Sequence, residues 1–410
     1  MTTAASRWEW LDFDEEESRQ IRDFLSHQAE GEGVDPLRIG ASVRDRMADN
    51  LFPGTSTQYT RLRYVILAPA LLSKRGVTLE GLEGSQAALN TAIDLANRSE
   101  KGVIGRRKRE RDFVRLYWTA IGEWKLLTSV GGDRRDVTVE NGWEAFRFSG
   151  RADEDGSPLS EARVRWDPKV VKLAGDFWMR KDSKSPKIHC TKAEVDYLLD
   201  RWLALAEEPA LAALASQVKA GRVVSKAAYP WDVAMTGHAR AKDDLQRAKA
   251  ISMVCWTAQL AYNCALVGRA RKLEADSAEA AWQKKAGQLD AMQEKLDKLL
   301  GDWQKAVVAE LSDLGPWTKE ETWEPLGDRS ARRFLAACAQ RLVDGKRDLT
   351  SRDWADSVRK RENSVNPAPK LAHATHLATW SGTPEMANRW DFRWKACVKA
   401  FMFDAENPHG

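Results

Sequence analysis

Two segments of this 410-residue sequence carry side chains that could bind an anion. The more basic one, the basic run "KGVIGRRKRER" (Lys101–Arg111), holds six basic residues and one acidic residue. The six are Lys101, Arg106, Arg107, Lys108, Arg109 and Arg111. The positive end of a helix dipole disfavours such a run, so we predict that it lies on a loop or pairs with an anion. Three interpretations stay open: a solvated linker, a contact with nucleic-acid phosphates, or docking on an acidic protein.

The second segment, called the corner, is "LFPGTSTQYTRLR" (residues 51–63). A Pro-Gly turn is followed by Thr55, Ser56 and Thr57, whose hydroxyls predict the N-terminal cap of a helix. A helix N-terminus can receive an anion. Arg61 and Arg63 would lie about 200° apart on that helix, so they cannot form one clamp. These five residues are therefore a candidate anion site or a structural motif, and we expect one arginine in a buried ion pair and the other facing solvent or a groove.

No catalytic motif is recognisable in the sequence. The phosphate-binding loop, the dinucleotide-binding glycine pattern and the Gly-x-Ser-x-Gly elbow are all missing. His373 and His376 are three apart but have no neighbouring Cys, Asp or Glu, so we predict a capping or packing role. Asp112, Glu123 and Lys125 resemble a nuclease arrangement of two acids and a lysine, yet they follow a helical period that favours surface positions. We therefore predict no catalytic residue, no metal and no cofactor.

Four stretches of the sequence resemble, in order, an uncharacterised bacterial family that carries a domain of unknown function. They are "WEWLDFDEEES", "GVDPLRIGASVRDRMADNLFPGTSTQYTRLRYVILAP", "GVIGRRKRERDFVRLYWTAIGEW" and "LATWSGTPEMANRWDFRWKACVKAFMFD". Leu-Phe-Pro-Gly-Thr-Ser-Thr is the most specific of these motifs. The resemblance implies an association with anti-phage defence islands, near helicases, nucleases or DNA-modifying enzymes, and it supplies no catalytic residues.

Together these observations predict a non-enzymatic helical accessory subunit of a bacterial anti-phage, DNA-targeting defence system. It would contact nucleic acid or a helicase, nuclease or DNA-modification protein. One alternative is a metal-dependent nuclease of an unrecognised class that uses carboxylates such as Asp12, Asp14 or Glu123. The other is a purely structural protein-interaction scaffold.

Composition indicates a folded protein, because 43% of the residues are hydrophobic and 30% are charged. The net charge of +4 is mild, so a nucleic-acid partner depends on the local basic run. The 18 tryptophans predict a Trp-rich core. Five cysteines without a Cys-x-x-Cys pair indicate reduced thiols. The first thirty residues lack a signal-peptide core, and no apolar run approaches the ~18 residues of a membrane span, so we expect a cytoplasmic protein without a membrane partner.

Helical periodicity dominates, and we predict a mainly α, bundle-like fold with a small irregular or β-containing insertion around residues 130–186. Within the insertion, "DVTV" and "AFRFSG" predict short strands. Thr191 and Glu194 predict a capping box. Heptad spacing from Leu289 to Trp303 favours an antiparallel helix pair within the protein over a coiled-coil dimer. The predicted units are 1–129 (helical, with the corner), 130–190 (the insertion), 191–314 (long helices) and 315–410 (helical).

Overall fold

The computed structural model describes residues 35–104, 112–148, 163–179, 181–276, 286–324, 326–378, 380 and 382–409. These residues are mainly α-helical, as the sequence predicts.

The helices and strands are numbered in chain order. The α-helices are α1 (Arg46–Leu51), α2 (Tyr64–Ser73), α3 (Leu82–Ala96), α4 (Phe113–Leu116), α5 (Trp118–Glu123), α6 (Val139–Phe148), α7 (Pro168–Met179), α8 (Lys192–Leu203), α9 (Ala210–Lys219), α10 (Ala239–Asp276), α11 (Ala286–Glu310), α12 (Arg329–Val343), α13 (Arg352–Val365), α14 (Ala374–Ala378) and α15 (Lys399–Glu406). The strands are β1 (Leu127–Ser129) and β2 (Val164–Trp166). Short 3₁₀-helices cover Arg134–Asp136, Lys181–Lys184, Pro230–Asp232, Leu311–Thr318 and Glu320–Trp323, and π-helices cover Gly40–Asp45 and Trp394–Val398.

The chain forms two compact units. Unit A comprises Met1–Arg46 and Ala250–Trp390, and unit B comprises Met47–Lys249 and Asp391–Gly410. Unit B therefore contains the corner and both described flanks of the basic run. The four-part division drawn from the sequence stays a prediction.

In unit A, the heptad-spaced helix α11 runs antiparallel to the unit A part of α10. The indole Nε1 of Trp303 donates to Thr257 Oγ1 at 2.9 Å, and Arg271 lies 2.6 Å from the carboxylate of Asp290. The later residue of α10 thus contacts the earlier residue of α11. This order is that of antiparallel helices and confirms the predicted pair. The buried residues of the seam are Leu289, Met292, Leu296 and Trp303.

Helix α10 contradicts the expectation that no apolar run is long enough to span a membrane. Among the described residues, it is the one helix with an 18-residue window that is apolar enough to cross a membrane, by length and composition. Within the protein, 89% of that window is buried. A core helix buried on all sides has the same apolar composition.

In unit B, β1 and β2 pair antiparallel, with Leu127 opposite Trp166 and Ser129 opposite Val164. The two strands predicted from the sequence were wrong. "DVTV" spans a 3₁₀ turn and the start of α6, and the part of "AFRFSG" that the structure describes is helical. The reason is tertiary packing: the ring of Phe146 stacks on Trp166, whose indole donates to Gly142 O at 2.8 Å. These contacts favour one face of a helix over local strand propensity.

The capping box at the start of α8 is confirmed. Thr191 Oγ1 accepts from Glu194 N at 3.3 Å, and Glu194 Oε2 accepts from Thr191 N at 2.7 Å. Tryptophans also fill the interior as predicted, and six of those that the structure describes are almost fully buried. They are Trp124, Trp202, Trp303, Trp323, Trp354 and Trp394.

Candidate functional site

The corner does not begin a helix at its hydroxyl residues, so the predicted cap was wrong. Helix α2 starts only at Tyr64. Thr55 Oγ1 instead donates back to Phe52 O at 2.7 Å. Ser56 Oγ accepts from Gln58 N at 3.3 Å, and Thr57 is half-buried in the same turn.

Distant groups bond the main chain of the corner, which explains why no helix forms there. The N–H groups of Thr60 and Arg61 both donate to the hydroxyl of Tyr117, at 2.8 and 3.2 Å. The N–H of Leu62 donates to Asp404 Oδ2 at 2.9 Å. A buried donor needs an acceptor, and here the acceptors come from tertiary structure in place of a helical carbonyl.

Arg61 is buried and forms a two-pronged ion pair with Asp404. Its Nη2 lies 2.8 Å from Oδ1, and its Nε donates to Oδ2 at 3.1 Å. The remaining amino group, Nη1, donates to Lys101 O at 3.0 Å and to Glu100 at 3.3 Å. Burial lowers the pKa of the guanidinium, but the charges and hydrogen bonds of Asp404 and Glu100 outweigh it and raise the pKa.

His189 completes this cluster. Arg61 Nη2 lies 2.9 Å from His189 Nδ1, and arginine has only donors, so Nδ1 is the acceptor. The other ring nitrogen, Nε2, lies 3.3 Å from Glu100 Oε2 and can donate to it. The imidazole is therefore held between a guanidinium and a carboxylate, and its side chain is 23% exposed.

Arg63 forms a second ion pair, with Glu194 of the α8 capping box. Its Nε lies 3.0 Å from Oε2, and its Nη2 donates to Oε1 at 3.1 Å. Both side chains are buried. Its Nη1 donates to Lys187 O at 2.5 Å.

Both arginines of the corner are therefore buried and paired with carboxylates. The prediction of a buried ion pair is correct, but the expectation that the other arginine faces solvent or a groove was wrong. Asp404 and Glu194 already occupy the two guanidinium forks, which could otherwise bind a ligand anion in bidentate fashion. Each arginine also holds the main-chain carbonyl of an exposed lysine, Lys101 for Arg61 and Lys187 for Arg63.

The corner fixes the first residues of the basic run. Besides the Arg61 contact with Lys101, Thr60 Oγ1 donates to Gly102 O at 2.6 Å, and Ile104 N donates to Tyr64 OH at 2.9 Å. Gly102 has a φ of +80°, and an added Cβ there would lie 3.1 Å from the side chain of Arg61. Only glycine fits that turn without strain.

The residues after the run return to the same place. The Phe113 ring lies 5.2 Å from the ring of Tyr64, and the side chain of Asp112 accepts from Arg115 N at 2.9 Å to cap α4. Tyr64 thus contacts the chain on both sides of the basic run. Of the six candidate cations, Lys101 is exposed, and the other five lie at 105–111, outside the described residues.

The segment from Pro186 to His189 also contacts the corner. Asn97 accepts from Ile188 N at 3.0 Å and donates to Pro186 O at 2.8 Å, while Arg63 holds Lys187 O. Ile188 is buried, whereas Lys187 is exposed and His189 is half-buried.

The other groups singled out in the sequence do not come together as a site. Glu123 pairs with Arg134, and Asp112 caps a helix. The rings of His373 and His376 lie 5.3 Å apart, edge to face. Within the described ranges no group of three or more His, Cys, Asp or Glu side chains could hold a metal ion. Asp12 and Asp14 lie outside those ranges.

A shallow cavity of about 280 Å³ opens between α8, α9 and the C-terminal residues. Three cations line it, but Lys192 pairs with Asp196 and Lys219 with Asp200. The third, Arg222, donates to Gln217 at 2.5 Å. Asp196 and Glu406 also line the cavity, so its three cations lie beside two carboxylates.

Residues 5–126 match a family of unknown function, DUF6361. The matched range includes the corner, the basic run and the helices that flank them, so this part of the chain is similar to an uncharacterised domain family. No curated protein and no solved structure matches the chain.

Sequence reasoning missed the partners of the two arginines. Glu194 was visible as a capping residue, but nothing in its spacing indicated that the same carboxylate would also pair with Arg63. Asp404 and His189 carried no local signal at all. The structure alone brings these groups to the corner.

Proposed function

We propose that this chain is a non-enzymatic, cytoplasmic accessory subunit of a bacterial anti-phage, DNA-targeting defence system. In this proposal the basic run Lys101–Arg111 contacts nucleic acid, and a helicase, nuclease or DNA-modification protein is the other partner. The five cysteines, all buried and unbridged, support a reducing compartment.

One observation carries the proposal: both ends of the basic run are fixed at the corner. Arg61, Thr60 and the adjacent Tyr64 hold the residues before the charged part. After it, Phe113 and Tyr117 both contact Tyr64, and the Tyr117 hydroxyl accepts from the main chain of Thr60 and Arg61. A run fixed at both ends loses less conformational freedom on binding than a free linker of equal charge. This favours a binding segment over a solvated linker.

The chemistry of such a segment suits a phosphate backbone. Arg and Lys side chains that neutralise phosphates release counterions, so affinity falls steeply as salt rises. These contacts carry no sequence information by themselves. The proposed contact is therefore sequence-independent, and any target selection would come from the partner.

Charge reversal of Arg106, Arg107 and Arg109 to Glu tests the proposal, with binding to a labelled oligonucleotide measured over a salt series. We expect weaker binding and a salt slope reduced by about 0.7–0.9 for each phosphate that the variant no longer neutralises. The matched control reverses Arg329, Arg333 and Arg352 in unit A, all well exposed, with the same change in net charge.

A pull-down of the tagged chain, co-expressed with the proteins of its neighbouring genes, tests the partner. Recovery of a helicase, nuclease or DNA-modification protein supports the proposal. Undiminished salt-sensitive binding by the reversed variant would remove the role of the run. Absence of both nucleic-acid binding and a recovered partner would remove the function as a whole.

A further inference from the structure

The surface beside the corner carries an exposed aromatic ring, that of Phe403 on α15. Phe403 is 47% exposed. Several large hydrophobic side chains are exposed among the described residues, and Phe403 is the aromatic one. Its neighbours Met402 and Asp404 are buried, so α15 is firmly packed at this point. The ring of Phe403 thus lies at the surface of a packed helix.

The ring of His189 lies next to Phe403, with centroids 6.4 Å apart and planes inclined by 56°. Arg61 and Glu100 hold the two nitrogens of His189, so the orientation of the imidazole is fixed before any ligand arrives. Its side chain is 23% exposed. The two rings thus border one patch of surface.

Two lysines approach the same cluster. Arg61 holds the carbonyl of Lys101, and Arg63 holds the carbonyl of Lys187, two residues before His189. Both ammonium groups belong to exposed residues, and no carboxylate in the described parts of the chain lies within ion-pair distance of either. The two lysines are thus available to negative groups of a ligand.

The nearby carboxylates are bonded to groups other than the two lysines. Arg61 neutralises the buried Asp404. Glu100 is bonded to His189 and Arg61. The carboxylate of Glu406 accepts from the N–H groups of Val224 and Ser225, at 2.7 and 2.9 Å.

We propose that Phe403 and His189 form a stacking platform for an unpaired base of a single-stranded nucleic acid, with Lys101 and Lys187 contacting the flanking phosphates. Sites for single strands combine aromatic rings that stack on bases with cations that follow the backbone. A duplex hides its base faces, so the platform requires a single strand. This inference rests on the proposed function, in which the basic run that begins at Lys101 contacts nucleic acid.

Replacement of Phe403 by Ala tests the platform, with binding of a fluorescent oligothymidylate of about 12 nucleotides followed by anisotropy. We expect affinity to fall by about fivefold or more, which corresponds to about 1 kcal/mol or more for one stacked base. Phe403→Trp should retain binding, because indole offers a larger ring for stacking. Leu95→Ala is the matched control: Leu95 is also exposed on a helix of unit B, and its loss should leave binding unchanged.

A duplex of the same length separates the platform from the basic run. Phe403→Ala should leave duplex binding unchanged, whereas the charge-reversed basic run should weaken binding of both ligands. Wild-type affinity of folded Phe403→Ala for the single strand would overturn the platform and leave the proposed function intact. Equal losses for single strand and duplex, or no single-strand binding by the wild-type chain, would also overturn it, while recovery of a partner protein would still support the proposed function.

Discussion

The guanidinium of Arg61 binds the carboxylate of Asp404 through two contacts, at 2.8 and 3.1 Å, although the two residues lie 343 positions apart in the sequence. The same carboxylate accepts from Leu62 N, so it fixes the main chain of the corner as well as the side chain. The corner therefore depends on the last helix of the chain. Because Arg61 also holds Lys101, the start of the basic run depends on that helix too.

Removal of Asp404 should destabilise the protein strongly. Asp404→Ala leaves Arg61 buried without its main partner, and breaking a buried pair from one side costs about 3–5 kcal/mol. Glu123→Ala is the matched control, because its partner Arg134 is 77% exposed and such a pair contributes about 0–1 kcal/mol. Urea unfolding followed by circular dichroism measures both, and equal losses would contradict a special role of the buried pair.

Stability should fall in acid partly through Glu100. Burial raises the pKa of its carboxyl, but hydrogen bonds from His189 and Arg61 outweigh burial and lower it. The unfolded chain then binds more protons between the two pKa values, so stability rises with pH in that window. The contribution is complete above the ordinary glutamate pKa of about 4.3 and is lost as pH falls through the lowered value.

Glu100→Gln should therefore flatten the acid limb of the stability profile. The loss at neutral pH should stay within about 1 kcal/mol, because the Glu100 side chain is 37% exposed. Unfolding curves between about pH 3 and 6 cover the window around the ordinary glutamate value. Glu83→Gln, at an exposed position of α3, is the control. An unchanged acid limb in Glu100→Gln would argue against the contact with His189 and Arg61.

The sequence predicted those parts of the fold that short-range patterns determine. The capping box of Thr191 and Glu194 spans three residues, and the seam from Leu289 to Trp303 follows a helical repeat. Both are local signals, and both predictions are confirmed. The mainly α fold follows from the same periodicity.

The features that the sequence did not predict depend on contacts between residues that are distant in the chain. Thr55 appeared to cap a helix because its local pattern is that of a cap, yet the main chain of Arg61 and Leu62 bonds to Tyr117 and Asp404. Phe146 lies on a helix because its ring stacks on Trp166, twenty residues later. No single-sequence pattern encodes such pairings, so the partners of the corner and the neighbourhood of Phe403 could not be predicted.

The antiparallel pair in unit A should depend on Trp303. The indole is buried, so Trp303→Ala should cost about 3–5 kcal/mol of unfolding free energy. Thr257→Val keeps the shape but leaves the indole N–H without its acceptor, which should cost about 1–3 kcal/mol. Val308→Ala on the same helix, 65% exposed, should change stability by no more than about 0.5 kcal/mol. Thermal unfolding should show the largest loss for Trp303→Ala, a smaller one for Thr257→Val and the smallest for Val308→Ala. Any other order would contradict the packing of Trp303 between the two helices.

The Pro-Gly turn of the corner should tolerate no side chain at Gly54. Gly54 has a φ of +77°, and an added Cβ would lie 2.6 Å from Trp124 Nε1 and 2.9 Å from Glu123 Cβ. The indole cannot easily move aside, because Trp124 is buried and its Nε1 donates to Pro53 O at 2.9 Å. Gly54→Ala must therefore break that hydrogen bond or shift the turn.

Gly132 provides a matched control for the backbone strain alone. Its φ is +80°, and no atom lies within 4 Å of the Cβ position. Gly132→Ala should lose about 1–2 kcal/mol, the usual cost of a left-handed alanine. Gly54→Ala should lose roughly 1–3 kcal/mol more, because overpacking adds to the strain. Equal losses in urea unfolding would show that the turn can shift to accept a side chain at Gly54. The predicted difference would show that Trp124 holds the Pro-Gly turn in place, as the Arg61–Asp404 ion pair holds the end of the corner.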